Sequence, residues 1–296
     1  MADIVSLENS LLRLSVAPAL GGAAVCFEAK RIIGSPEPIF RPSAESDLNT
    51  VPFDPNSSSC YPLVPWVSRL SPAVLPTSDG SLHIPANRPN EEFPIHGWGA
   101  YTEWTVLSQS TDFLSLGLEH EGPPPFSAQM DYRLSENNLT ISLGVTNKLD
   151  RPVGLGLGFH PWLPRRASGT LYAPAELVWI SGADKIPTYA EKPKPEWQFS
   201  QARPLPDSDI DHGFGGWTGE AHYSWEAADG AWSLAFSSDC SDYIIYAPAK
   251  ATFFCFEPTS HKPSPGQAGE LDGLVMLEPG QSLDRFASFT VMVPHA

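Results

Sequence analysis

The chain has 296 residues, 42% hydrophobic and 18% charged, which excludes the disordered class, where apolar content falls and charge rises. Its 18 Lys and Arg stand against 34 Asp and Glu; the formal charge of -16 opposes attraction to phosphate backbones or anionic lipid, so neither nucleic acid nor a membrane is an expected partner. No apolar stretch approaches the roughly 20 residues of a membrane helix, no basic and apolar leader opens the chain, and 31 scattered prolines disfavour long helices.

Strand-like alternation begins at Ile4 and Leu7 and resumes, after the Glu8-Asn9-Ser10 break, through Leu12, Leu14 and Val16. Short strand signals follow at 104–107 and 113–118. The clearest lies at 126–134, where Phe126, Ala128, Met130, Tyr132 and Leu134 alternate with polar residues. The alternation returns at Leu139, Ile141, Leu143 and Val145, so the two runs predict an antiparallel hairpin. Further strands are predicted at 153–159, 232–236, 243–246, 252–256 and 289–293, separated by Gly, Pro, Asn or Asp. The stretch 186–217 is rich in Pro and Asp and poor in strand signals; it reads as a functional connection inside one unit, not as an interdomain linker. No segment sustains a helical pattern over three or four turns, which excludes a TIM barrel or a doubly wound α/β fold. These elements predict one all-β domain spanning 1–296, a large antiparallel sandwich.

Cys26, Cys60, Cys240 and Cys255 are widely spaced and form no C-x-x-C pair, so they predict neither a disulfide framework nor a zinc site but four reduced thiols in a cytoplasmic protein. The familiar catalytic motifs are missing: there is no G-x-S-x-G, P-loop, H-E-x-x-H or dinucleotide fingerprint. Gly154, Gly156 and Gly158 alternate as in a strand and predict close approach of another backbone or a ligand. Ionisable groups sit beside strand ends and aromatic residues in Pro65-Trp-Val-Ser-Arg69, Ile95-His-Gly-Trp98, Gly158-Phe-His-Pro-Trp162, Asp209-Ile-Asp-His212 and Cys255-Phe-Glu-Pro258. Singly, each has an ordinary structural reading: a histidine satisfying the backbone, an aspartate in a turn, an arginine in a surface pair. Glu257 says most by itself, because a carboxylate closing the run Phe253-Phe-Cys-Phe256 is expected in apolar surroundings that raise its proton affinity.

In order and along nearly the whole chain, these segments resemble the galactose mutarotase-like aldose 1-epimerase family. The resemblance rests on Cys60 to Arg69, Phe93-Pro-Ile-His-Gly-Trp98, Gly158-Phe-His-Pro-Trp162, Asp209-Ile-Asp-His-Gly-Phe214, Phe254-Cys-Phe-Glu-Pro258 and Leu277-Glu-Pro-Gly-Gln-Ser282. It implies a supersandwich with a sugar cleft, Glu257 as catalytic base, His160 as general acid and His96 as the second active-site histidine. It places Arg69 and Asp211 as ligands of sugar hydroxyls, the Asp-His-Gly-Phe context favouring Asp211 over Asp209. Trp66, Trp98, Trp162 and Phe214 are candidate rings for the apolar face of the sugar. Ser68 and Trp162 depart from the Asn and Tyr common in the family.

The implied activity is that of an isomerase interconverting the α and β anomers of a free aldose by acid/base ring opening and reclosure, with no cofactor and no metal. Three alternatives accompany it. A hexose phosphate or other anionic sugar would need a cluster of cations, for which Arg69, Arg88, Arg165, Arg166 and Lys250 are available. A non-catalytic carbohydrate-binding protein would need no Glu and His pair, and glycoside hydrolysis would need a second carboxylate, with Asp211 as candidate. The assembly is expected to be a monomer or a homodimer.

Overall fold

A computed structural model describes residues 3–31, 34–89, 91–265 and 271–293. Two large sheets and a small one account for its architecture, and all the strand pairs they contain are antiparallel. The larger sheet runs, in spatial order, through Val5–Glu8, Leu12–Ala17, Ala23–Ala29, Cys60–Leu63, Gly158–Pro164, Phe253–Thr259, Asp242–Ala247, Ile210–Gly215, Leu177–Ser181 and Pro187–Glu191, with Glu37–Pro38 pairing off the third. The second sheet orders Thr170–Tyr172, Glu220–Ala227, Gly230–Ser238, Ser282–Met292, Asn138–Asn147, Phe126–Ser135, Phe113–His120 and Thr105–Gln109. Among the described residues, helical structure is confined to Glu45–Leu48 and three single turns of 3-10 helix. None is long and apolar enough to cross a membrane.

The predicted hairpin is present, with Phe126 paired to Asn147 and Ser135 to Asn138, and every apolar residue of its alternation is buried. Two expectations need correction. The run 153–159 is two strands, not one: Val153–Leu155 joins the small sheet and Gly158–Pro164 the large one. The stretch 186–217 contributes two strands of the larger sheet, Pro187–Glu191 and Ile210–Gly215. The adjacent polar pair Asp211 and His212 and the glycines at 213 and 215 hid the second, because they break the period-two pattern by which a half-buried strand is read.

Period-two alternation sorts the central strands of the large sheet between core and cleft. Phe254 and Phe256 point into the sandwich, where they meet Tyr223 and Phe236 of the second sheet at ring distances of 4.9 Å and 4.9 Å. Their neighbours Cys255 and Glu257 therefore face the other way. The same rule sends Phe159 and Leu163 to the core and His160 and Trp162 to the cleft, Tyr243 and Ile245 to the core and Ile244 and Tyr246 to the cleft. A one-residue slip on any of these strands would exchange the two sets.

The three glycines do permit close approach. A Cβ on Gly156 would lie 2.1 Å from the His261 ring, one on Gly158 would lie 2.9 Å from the Pro258 carbonyl oxygen, and one on Gly154 would lie 2.8 Å from Pro76. His261 is fully buried and held in one neutral tautomer: Nε2 accepts the Val67 N–H at 3.0 Å, and Nδ1 donates to the Lys262 carbonyl at 2.8 Å. Burial pulls its pKa from 6.5 down to about 4. The unfolded chain therefore binds a proton that the folded one refuses, and stability falls as pH drops from 6.5 towards 4. The unfolding free energy from urea titration is expected to fall across that interval, by up to about 3 kcal/mol from this residue at about 1.36 kcal/mol per pH unit, and His261→Asn to show a shallower slope. Equal slopes in the two proteins would remove His261 as the cause.

Candidate active site

A cavity of about 350 Å³ opens on the outer face of the large sheet. Its floor is His160 from Gly158–Pro164, Glu257 from Phe253–Thr259, and His96 from the loop before Trp98. Ligand atoms of the three lie within 4.8 Å of one another, and their residues are only 9%, 5% and 2% exposed for His96, His160 and Glu257. His160 Nε2 lies 3.3 Å from Glu257 Oε1. Cross-strand pairing of His160 with Tyr61 stacks the two rings at 4.3 Å, and the two-residue step to Trp162 stacks the indole at 5.2 Å.

His96 arrives by a strained route. It has φ +59°, and so does Ser68, which meets it reciprocally: the His96 N–H donates to the Ser68 carbonyl at 3.1 Å, and the Ser68 N–H donates to His96 Nδ1 at 3.1 Å. Asn87 pins the loop: its side-chain carbonyl accepts the Ile95 N–H at 2.8 Å, and its amide N–H groups donate to the Ile95 carbonyl at 2.8 Å and the Gly97 carbonyl at 2.6 Å. With Nδ1 an acceptor, neutral His96 carries its proton on Nε2 and can donate it. That tautomer argues against a metal at the trio despite the spacing, since Nε2 would have to surrender its proton or Nδ1 its bond to Ser68.

Burial dominates the electrostatics of the floor. It pulls His160 down to about 3 and His96 well below 6.5, and pushes Glu257 well above the ordinary carboxylate range, with the Asp211 charge adding to the rise. Both members of the His160 and Glu257 pair thus favour their neutral forms, so between the two values the pair holds one proton in total. Glu257 Oε2 and His160 Nδ1 have no hydrogen-bond partner among the described residues.

The rim carries charge in pairs. Arg69 makes a two-pronged bond to Glu91, with Nε and Nη2 each 3.0 Å from a carboxylate oxygen. Arg88 pairs with Asp54 at 3.0 Å and Lys185 with Asp211 at 3.4 Å. Asp211 lines the cavity, whereas Asp209 accepts the Ala249 N–H at 2.7 Å and lies outside the lining. Arg165 and Arg166 line a separate hollow, and Lys250 is an exposed turn residue.

Of the aromatic candidates, only Trp162 reaches the cavity. Its ring stacks on His160 at 5.2 Å and also carries the Arg41 guanidinium 4.0 Å from its centroid. Trp98 is elsewhere: it stacks on His120 at 5.2 Å, and its Nε1 donates to the Pro123 carbonyl at 3.1 Å. Trp66 and Phe214 are fully buried core. The sequence reading missed Tyr61, Glu91, Lys185 and Tyr246 as lining residues. For Tyr61 and Tyr246 the signal existed, since each shares the cleft-facing parity of its strand; Lys185 and Glu91 sit in loops with no pattern to read.

A larger hollow of about 680 Å³ lies on the second sheet, but its lining holds no histidine, lysine or arginine, and its titratable groups are the acids Glu103, Glu119 and Asp284. The buried trio of His96, His160 and Glu257 lines the smaller one.

The two large antiparallel sheets match the fold of galactose mutarotase-like proteins. The chain belongs to the aldose 1-epimerase family, whose profile matches residues 42–290. It is 29% identical over 254 residues to the uncharacterised Escherichia coli K12 protein YphB, covering 83% of this chain and 86% of that one. Its structure is similar to that of an Escherichia coli K12 protein provisionally described as an aldose 1-epimerase, with TM-score 0.89 and 27% identity over 99% of this chain and 100% of that one. A Caenorhabditis elegans homologue of aldose epimerase shares the fold at TM-score 0.82 and 15% identity, each chain covered completely.

Proposed function

We propose that this protein interconverts the anomers of a neutral free aldose. The observation that carries this reading is the buried pair of His160 and Glu257 at 3.3 Å on the floor of a cavity large enough for a small ligand. In the ionised arrangement of that pair, Glu257 takes the proton of the anomeric hydroxyl while His160 gives one to the ring oxygen. The C1 to ring-oxygen bond breaks, C1 becomes a carbonyl, and rotation about the C1–C2 bond presents its other face for reclosure. Ring opening leaves Glu257 protonated and His160 neutral; on reclosure Glu257 returns its proton to the carbonyl oxygen while His160 takes the proton of the attacking hydroxyl, which restores the starting pair. His96 Nε2–H suits the developing charge near the ring oxygen.

Arg69 and Asp211 are the proposed clamps for hydroxyl groups. Asp211→Ala is expected to raise KM roughly ten- to a hundredfold with a smaller change in kcat, because a hydroxyl contact remote from C1 binds ground and transition states alike. A selective loss of kcat would instead place Asp211 in the proton chemistry.

The pairing of rim charges supports a neutral substrate over a phosphorylated one. A phosphate seeks unpaired cations, yet Arg69, Arg88 and Lys185 each already have a carboxylate. Polarimetry on freshly dissolved α-glucose and α-galactose, with glucose 6-phosphate in parallel, tests the whole reading. Acceleration of a neutral hexose is expected; binding without acceleration would make the protein a sugar binder, and acceleration of the phosphate alone would reverse the choice of substrate.

A further inference from the structure

Arg41 is a partly buried guanidinium that makes no ion pair among the described residues. Its side chain donates instead to the carbonyls of Asn56 and of Ser58, the latter at 3.0 Å, and its backbone N–H donates to the Trp162 carbonyl at 2.7 Å. The guanidinium carbon lies 4.0 Å from the Trp162 ring centroid and 5.1 Å from that of Phe253. Trp162 is stacked on His160 with 21° between planes, and His160 on Tyr61 with 22°. Along the cleft face of Gly158–Pro164 the order is His160, Trp162, Pro164, and Phe253 pairs with Pro164. A guanidinium touching both Trp162 and Phe253 therefore lies beyond the indole as seen from His160. The four groups form a column: Tyr61, His160, Trp162, Arg41.

We propose that Arg41 is a positioning residue for the proton transfer: by closing this column over Trp162 it fixes the plane of His160, and it sets a permanent positive charge one ring away. The inference rests on the functional reading above. A proton is given along the plane of the imidazole, so a tilt misdirects it even when the ring stays in place. Flat faces on both sides of His160 suppress that tilt, and Trp162 can serve as such a face only if its own far side is held. A planar, weakly hydrated guanidinium suits that far side, where a lysine ammonium would be a point charge without a flat surface.

The charge acts in the same direction as burial. The ionisable groups facing His160 are Glu257 across the neighbouring strand, Tyr61 stacked on it and His96 edge-on at 5.3 Å, with Arg41 and Arg88 further out. Glu257 favours the imidazolium, whereas Arg41 and Arg88 oppose it. Removing Arg41 therefore releases the ring to tilt and makes it hold its proton more tightly.

The test compares the full-length protein with Arg41→Met and Arg41→Lys, each verified as folded by its thermal melt. For Arg41→Met, kcat on α-glucose is expected to fall roughly ten- to a hundredfold with KM nearly unchanged, and the acid limb of the pH profile to move to higher pH. Arg41→Lys is expected to return the limb to its original position while recovering kcat only in part. An acid limb that stays in place in Arg41→Met overturns the proposal, as does a wild-type kcat. NMR titration of the His160 ring needs no turnover: its midpoint is expected to rise in Arg41→Met, and an unmoved midpoint refutes the role of the charge. If wild type accelerates no aldose, the functional reading fails while the titration still decides on Arg41.

Discussion

Glu257→Gln is expected to lower kcat for anomer interconversion by roughly a hundred- to ten-thousandfold, the span of a lost general base, while KM stays within a few-fold of wild type. The amide keeps the shape and can still face His160, but it cannot accept the anomeric proton. The low exposure of the carboxyl leaves no room for bulk water to stand in for it. The pH dependence follows from the single proton of the pair. Activity is expected to fall when a second proton arrives at the acid end and again when the shared proton leaves at the alkaline end, and in Glu257→Gln this two-sided profile should be lost. Stability should respond with its own sign. Burial raises the folded pKa of Glu257, so its contribution is present below the ordinary carboxylate value and is lost as pH rises through the folded one. The variant should therefore lose less stability than wild type between mildly acid and alkaline pH. Polarimetry and urea titration across that range check both statements; a variant with wild-type kcat would end the assignment of Glu257 as the base.

Gly97→Ala is expected to cost about 3 kcal/mol or more in stability and to remove most activity in whatever remains folded. Gly97 has φ +71°, where a side chain costs about 1–2 kcal/mol. Its added Cβ would lie 1.9 Å from the Val64 carbonyl oxygen and 2.6 Å from the Pro65 nitrogen. Those atoms are backbone and cannot rotate aside, so overpacking adds about 1–3 kcal/mol. The loop would have to lift from Val64, to which Trp98 and Gly99 donate at 2.8 Å and 3.0 Å, and His96 would leave its bond with Ser68. Gly280→Ala is the control: φ is +79° there, yet nothing lies within 4 Å of the added Cβ, so only the conformational cost applies. Thermal melts should separate the two variants by several degrees. A Gly97→Ala protein that melts with wild type and keeps its kcat would show that the close approach to Val64 is not needed.

Much of the fold was legible in strand parity. Where one face is core and the other solvent, as in Phe126–Ser135 and Asn138–Asn147, alternation marks both the strand and its buried side. It failed where both faces carry out tasks of their own. In Ile210–Gly215 the adjacent polar residues Asp211 and His212 break the alternation, and the glycine-rich run 153–159 reads as one strand although its two halves lie in different sheets. The site was legible through motif order: His96, His160, Glu257, Arg69 and Asp211 all line one cavity. The exclusion of Trp98 was not, because a tryptophan beside an active-site loop reads alike whether it meets ligand or packs on His120.

By itself, then, the sequence determined the all-β class, the chemistry-bearing residue types and the apolar setting of Glu257, because local periodicity and neighbouring residues depend only on the chain nearby. Only the tertiary structure decided that the rim cations are already paired, that Asp211 rather than Asp209 faces the hollow, and that Trp162 lies against both His160 and Arg41. Those facts depend on which distant segments meet, as Arg41 meets Trp162 and Glu91 meets Arg69, and contact between segments far apart leaves no period in a single chain to read.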